Sequence, residues 1–509
     1  MKKFRITSLL AVLTLGVAAC GGGSEGGDAA GGVDTDLVIA FSDIVSTFDP
    51  PDVGDNPKAE YLQPVYDTIT QLLPDGSVGP RVATAWEYTD ATNTTLRMTL
   101  SDDVTFSDGT KLDAEAVKAN LEHFLTGTGP AVNNIKQITA IDVVDPTTLE
   151  LHLSAPIPAL MTYFGKTAGM LVSPAVLDAP SLDTTPVGSG PYELDTERTV
   201  VGSSYVYTRR SDYWNASDYP YDTITLNYIV DPTARLNAVR TGQADSGAIT
   251  TKTAAEAEGA GLQVQNYSSG DVLQLDLMDR AGTTVPALAD ARVRQAMNYA
   301  IDRESIIKTL YDGKGTLSTQ IFNPDSTAWV DDLNDSYTYD PAKAEQLLAE
   351  AGYADGFSIT LPEITTYSDV TAVLAQEFGD VGITVNTTKV PDAQAVSEAR
   401  SGKFPATVYQ LQSNDPWQAI QLMVQPTAAW NPLQYADPEV DDLLARAQSA
   451  TDADRPAAYQ ELNSYLVDQA WFAPIVFTEN VVASGDSVTV TPYTYLPLPP
   501  IEGYAPAGS

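Results

Sequence analysis

Apolar and polar residues alternate at Leu96, Met98 and Leu100, and again at Leu149, Leu151 and Leu153. A period of two marks a strand with one buried face, so strands are predicted at 95–100 and 148–153. Between them the period lengthens. Val117, Leu121 and Phe124 share one helical face, and Asp113 stands where an N-cap belongs. Further on, Val293, Ala296, Met297, Ala300 and Ile301 fall at i, i+3, i+4, i+7 and i+8, a core-facing helical stripe. Asp340-Pro341 opens another helix, with Leu347 and Leu348 inside it and Gly352 past its end. Strands at 357–361 and 384–390 flank a helix at 370–381. Helix, glycine and strand in repeated order indicate an α/β lobe.

The remaining elements read more briefly. A first strand is predicted at 37–41, and a loop at 42–55 around Asp49-Pro50-Pro51. Leu62, Val65, Ile69 and Leu73 predict a helix at 60–73. Asp108-Gly109 marks a tight turn, and 186–192 a rigid crossover punctuated by glycine. Strands follow at 205–207 and 224–229. Asp231-Pro232 opens a helix that ends at Gly242. Two helices, at 437–447 and 454–470, precede a strand at 475–483. The Pro-rich tail at 497–507 reads as irregular.

The N-terminus follows a different pattern. Lys2, Lys3 and Arg5 precede an apolar run at 6–19, and Ala18-Ala19-Cys20 closes it. A basic head, an apolar run too short to span a bilayer comfortably and small residues before the break describe a secretory leader. Ala18-Ala19-Cys20 resembles the lipobox of bacterial lipoproteins. The resemblance implies cleavage after residue 19 and a diacylglycerol on Cys20. Residues 20–36 then form a flexible, Gly-rich tether. No second apolar run reaches membrane-spanning length. A soluble body is expected on the extracytoplasmic face of the membrane, at the cell surface or in the periplasm, held by lipid alone.

Charge and composition narrow the partners. The chain has 28 basic and 67 acidic residues, a net charge of −39. Such a surface repels phosphate backbones, which disfavours nucleic acid as a partner. With 43% hydrophobic residues the chain is globular. About 490 residues after the leader exceed one core and suggest two or three lobes. Cys20 is the single cysteine, so the body holds no disulfide, thiol nucleophile or cysteine metal site.

Catalytic motifs are missing. There is no P-loop and no nucleophile elbow. His123 and His152 stand far apart, without metal-ligand spacing. Carboxylates are so numerous that no pair singles itself out. No enzyme, metal or cofactor is expected. The 25 tyrosines and 6 tryptophans suit a pocket for a polar organic ligand, though most should be core.

Five stretches carry a wider resemblance: 104–110 with the following helix; 186–192; 231–245; 290–296 running into Tyr299-Ala300-Ile301-Asp302-Arg303; and 339–344. In this order, behind a lipobox, they resemble the family 5 extracellular solute-binding proteins, the dipeptide, oligopeptide and nickel receptors of ABC transporters. The resemblance covers nearly the whole chain. It implies an α/β, periplasmic-binding-protein-like fold with two ligand-clamping lobes, a third structural lobe and a hinge. Lobe I would comprise 36–75, 188–283 and 480–509; lobe II 76–187; lobe III 284–479. A small solute would bind between lobes I and III and pass to the membrane subunits of an ABC permease. A monomer is expected.

The resemblance also places a ligand segment at 409–417. Dipeptide receptors carry an ammonium-binding aspartate a few residues before an Asp-Pro step. Asp415-Pro416 matches the step, but Gln412 stands at the aspartate's position. A buried cation needs a compensating charge. Either Asp415 supplies it or the solute carries no ammonium, and Asp415 equally suits a helix cap before Trp417. Trp417, Trp430 and Asn431 complete the candidate pocket. A short peptide leads as ligand, with a sugar or opine as alternative. A secreted hydrolase and a permease-free surface adhesin or sensor are the readings from other classes.

Overall fold

The longest strand, Gln263–Leu277, runs antiparallel to the next longest, Phe472–Ser484. In this computed structural model, which describes residues 35–493, 496 and 498–508, the two strands lie second and third from one edge of a nine-stranded sheet. The leader, Cys20 and the tether up to residue 34 lie outside the described residues. From one edge the strands are Ala406–Gln412, Gln263–Leu277, Phe472–Ser484, Ser246–Ile249, Asp36–Phe41, Thr223–Tyr228, Ser204–Arg209 and Tyr192–Leu194, and Thr316–Leu317 also pairs with Phe472–Ser484. Asp36–Phe41 is parallel to both its neighbours.

The register between the two long strands breaks between Ser268 and Val272. Before the break, 263–268 pairs with 479–484, beside Ser246–Ile249. After it, 272–276 pairs with 472–477, beside Ala406–Gln412. Gly270, with φ +72°, stands at the break, and a Cβ there would meet Asn414 Oδ1 at 1.5 Å. Only glycine fits.

A separate antiparallel sheet has the order Ala83–Tyr88, Thr95–Leu100, Thr148–Leu153, Ile138–Asp145. Leu96, Met98, Leu149 and Leu151 bury one face of it together with Val117, Leu121 and Phe124 of helix Ala114–Thr126. Asp113 accepts from Ala116 N at 3.0 Å, the expected cap. Phe357–Ile364 and Ile383–Val390 form a parallel pair linked by helix Ser368–Asp380. The stripe of Val293, Ala296, Met297, Ala300 and Ile301 is buried. The overall class is mixed α/β.

Three expectations needed correction. Residues 60–73 are not a helix: a 3-10 turn, Pro57–Tyr61, leads through further turns to the strand Thr70–Leu72. Pro64 removes a helical donor, and the β-branched run Thr68-Ile69-Thr70 favours strand. The tail is not wholly irregular, since Tyr504–Pro506 pairs with Val488–Val490. The loop at 42–55 contains one short helix, Pro50–Val53. Many tyrosines are core, their hydroxyls bonded to carbonyls: Tyr66 to Phe48 O at 3.0 Å, Tyr207 to Tyr61 O at 2.8 Å and Tyr192 to Tyr221 O at 3.0 Å. Among the described residues no helix is long and apolar enough to cross a membrane.

Candidate ligand site

Asn56 caps the 3-10 turn Pro57–Tyr61 by accepting from Lys58 N at 2.9 Å. The turn carries Glu60 to the wall of a cavity of about 770 Å³, counting its open mouth. Four distant parts of the chain meet there. Residues 55–81 and 493–502 form most of the wall, 165–170 a second part, and Gln412 comes from the end of strand Ala406–Gln412. Tyr66, Leu72, Met170 and Tyr493 supply apolar surface. Among the described residues the lining holds no serine, cysteine or histidine.

The charged groups of the wall fall into two kinds. Arg81 is fully engaged: Nε donates to Asp67 Oδ1, Nη1 to Glu502 Oε1 and Nη2 to Tyr219 Oη, each at 2.7 Å. Tyr213 and Trp214 also donate to Asp67, at 2.7 and 3.2 Å. Asp55 accepts from the Thr167 hydroxyl at 2.6 Å and backbone N at 3.2 Å.

Glu60 and Lys166 are of the other kind. Glu60 is 4% exposed, and no described cation comes within 4 Å of it. Burial first, then the charge of Glu502, holds its carboxyl well above the usual range, opposed by a hydrogen bond from Gln63. Gln63 Oε1 is buried without a partner. Lys166 is 8% exposed. Its ammonium donates to Gln418 Oε1 at 3.4 Å, and no described carboxylate lies within 4 Å.

The residues singled out from sequence divide. Gln412 reaches the cavity, and its Oε1 accepts from Gln418 Nε2 at 3.0 Å. Asp415 lines an adjoining space of about 650 Å³, which Lys166 also borders. Its carboxylate caps the short helix Pro416–Ala419, accepting from Trp417 N at 2.8 Å and Gln418 N at 3.1 Å. Burial raises its pKa, against the pull of those donors and of Lys166. Trp417 is buried in the core. Trp430 packs against Tyr409 with the rings tilted by 42° and centroids 4.4 Å apart. Asn431 closes a turn, donating to Gln425 O and Tyr435 O at 3.2 and 2.8 Å and accepting from Tyr435 N at 3.1 Å. Cys20 lies outside the described residues. His123 and His152 pair with Asp49 and Asp142 at 2.9 and 3.0 Å. Among the described residues no group of three metal-ligating side chains occurs.

Sequence reading missed Glu60, Gln63, Lys166 and Glu502. One signal was available for two of them. Glu60 sits in Ala59-Glu60-Tyr61-Leu62, and Lys166 between Phe164-Gly165 and Thr167-Ala168-Gly169, single charges inside apolar or small-residue runs.

A cavity closed by separated chain segments beside a register break in two long strands, with polar walls, suits the binding of a solute. Residues 77–431 match the bacterial extracellular solute-binding proteins, family 5 (middle region), and the chain belongs to that family. Its members are substrate-binding proteins of ABC transporters, not enzymes. Among curated relatives, the glutathione-binding protein GsiB of Salmonella paratyphi A is 28% identical over 477 residues, covering 89% of this chain and 91% of that protein. HbpA2 of Haemophilus parasuis has a similar fold, with TM-score 0.82, 20% identity and 92% and 99% of the two chains covered. DppA of Helicobacter pylori, solved with the peptide STSA, gives TM-score 0.75 at 20% identity, covering 92% and 98%. At such identity the two structures establish the fold.

Proposed function

We propose that this protein captures a short peptide outside the membrane, in the cleft between lobes I and III, with residues 165–170 of lobe II completing its wall, and presents it to the membrane subunits of an ABC importer. The lobes are those drawn from the sequence: 36–75, 188–283 and 480–509; 76–187; and 284–479. The observation that carries this reading is the cavity itself, built from four distant chain segments next to the register break at 268–272. Strands that change partners at one point are suited to act as a hinge. Closure around the solute would exclude water and create the form that the permease recognises. A diacylglycerol on Cys20 would hold the monomeric receptor near its permease at high effective concentration. GsiB is named for glutathione and the H. pylori structure holds STSA, and both ligands are peptidic.

Mass spectrometry of solute copurifying with the native protein tests the reading. A released peptide is the expected result. A bound sugar or opine would overturn the ligand class, and turnover of the bound solute would overturn the receptor role. Metabolic labelling with a radioactive fatty acid tests the anchor, and label that persists in Cys20→Ser would dismiss it.

A further inference from the structure

We infer that the cavity selects a zwitterionic solute, whose cationic group is received by Glu60 with Gln63 and whose anionic group is received by Lys166. The inference rests on the receptor reading and deepens it.

Two side chains of opposite charge line one cavity, each more than nine-tenths buried, and neither has an ion-pair partner within 4 Å among the described residues. A buried, unpaired charge is costly. Such charges persist where a partner arrives later. The neighbouring groups cannot serve as partners. Arg81, the other cation among the described lining residues, spends its guanidinium on Asp67, Glu502 and Tyr219. Asp415 feels the charge of Lys166 but lies beyond ion-pair distance, and one of its oxygens caps a helix. Lys166 is left with one long bond to a neutral amide.

The cation side has a further mark. Gln63 stands beside Glu60, and its Oε1 is buried without a donor. A carboxylate beside an orphaned carbonyl oxygen is an acceptor pair. It suits an ammonium or guanidinium, each with several N–H donors. Glu502 deepens the negative field at this end. The missing aspartate at Gln412 is thereby explained: the compensating carboxylate comes from the 57–61 turn, which lines the same cavity. A neutral solute would leave the Lys166 ammonium unpaired on closure and bring no cation to draw Glu60 into its charged form, so the site rejects it.

Isothermal titration calorimetry with four probes tests this: trialanine, N-acetyl-trialanine, trialanine amide and maltotriose. The full chain, dialysed free of copurifying solute, is compared with Glu60→Gln and Lys166→Met. The wild type should bind trialanine at least tenfold more tightly than either blocked peptide or the sugar. Glu60→Gln should abolish the preference over N-acetyl-trialanine and keep that over the amide, and Lys166→Met should do the reverse. Such a crossed pattern is not expected from a merely structural defect. Tight binding of a blocked peptide or of maltotriose, or preferences unchanged in both variants, would overturn the zwitterion site and leave the receptor standing. A folded wild type that binds none of the four would overturn the peptide reading, and this inference with it.

Discussion

Two regions of the molecule bury cations in opposite ways. Arg303 is 3% exposed. Its Nε donates to Pro474 O at 2.7 Å and Ser318 O at 3.2 Å, Nη1 to Asn298 O at 3.0 Å and Tyr337 O at 3.2 Å, and Nη2 to Asn298 Oδ1 at 2.7 Å. Arg294 does the same, bonding carbonyls of Leu288, Ala289, Gln469 and Ala470. Both staple their helices to the strand Phe472–Ser484 or its approach. Lys166 is almost as buried, yet it has one long hydrogen bond. Burial alone does not separate architecture from function; the use of the donors does. A cation surrounded by carbonyl dipoles is finished when the chain folds. A cation facing a cavity with most of its donors unused is completed by something else.

The sharpest way to break this contrast is Arg303→Met. The change removes the hub and leaves up to four buried carbonyls without that donor. Stability should fall by about 3 kcal/mol or more, read as a lower urea midpoint with an unchanged slope. Solute affinity, measured under conditions where the protein remains folded, should stay within about twofold of wild type. A drop in affinity as large as that of Lys166→Met would erase the distinction between the two regions.

Glu60→Gln should act with the opposite sign on stability. The folded-state pKa of Glu60 is raised by burial and by Glu502. Below the unfolded value, about 4.3, the group is neutral in both states. As pH rises toward the higher folded value, the unfolded chain releases the proton and the folded protein retains it, so stability is lost. The groups around Glu60 are Glu502, Tyr267, Tyr504 and Gln63, and none is a cation. The variant should therefore melt with the wild type near pH 4 and above it at pH 7.5. Calorimetric melts at the two pH values decide it. A variant less stable than the wild type at pH 7.5 would mean that Glu60 is already paired.

Much of this architecture is written locally. Period-two runs at 95–100 and 148–153, the stripe from Val293 to Ile301, and the caps Asp113, Asp231 and Asp340 all form as their spacing requires. Elements set by distant contacts were not legible. Gln263–Leu277 is broken by Ser268-Ser269-Gly270-Asp271, which reads as a loop until Phe472–Ser484 lies beside it. The apolar spacing from Leu62 to Leu73 imitates a helix that Pro64 forbids. The motif arginines stand out in sequence, but their role as staples depends on carbonyls up to about 175 residues away. Glu60 and Lys166 become remarkable as a pair because Glu502 and Gln418 arrive from far along the chain. A charge reveals its purpose when its neighbours are known.

Asp415 gives the smallest effect and sharpens the comparison most finely, since it borders the cleft yet spends its carboxylate on Trp417 N and Gln418 N. An asparagine side chain retains the accepting oxygen and loses the charge. Asp415→Asn should change stability by a few tenths of a kcal/mol, and Asp415→Ala should cost about 1 kcal/mol through the lost cap. Trialanine affinity should move less than threefold in Asp415→Asn, because the ammonium is held at Glu60. Calorimetric titration of that variant checks this directly. A tenfold loss there, with stability intact, would return the cation-binding role to Asp415 and move the open end of the cleft from the 57–61 turn to the 412–418 segment.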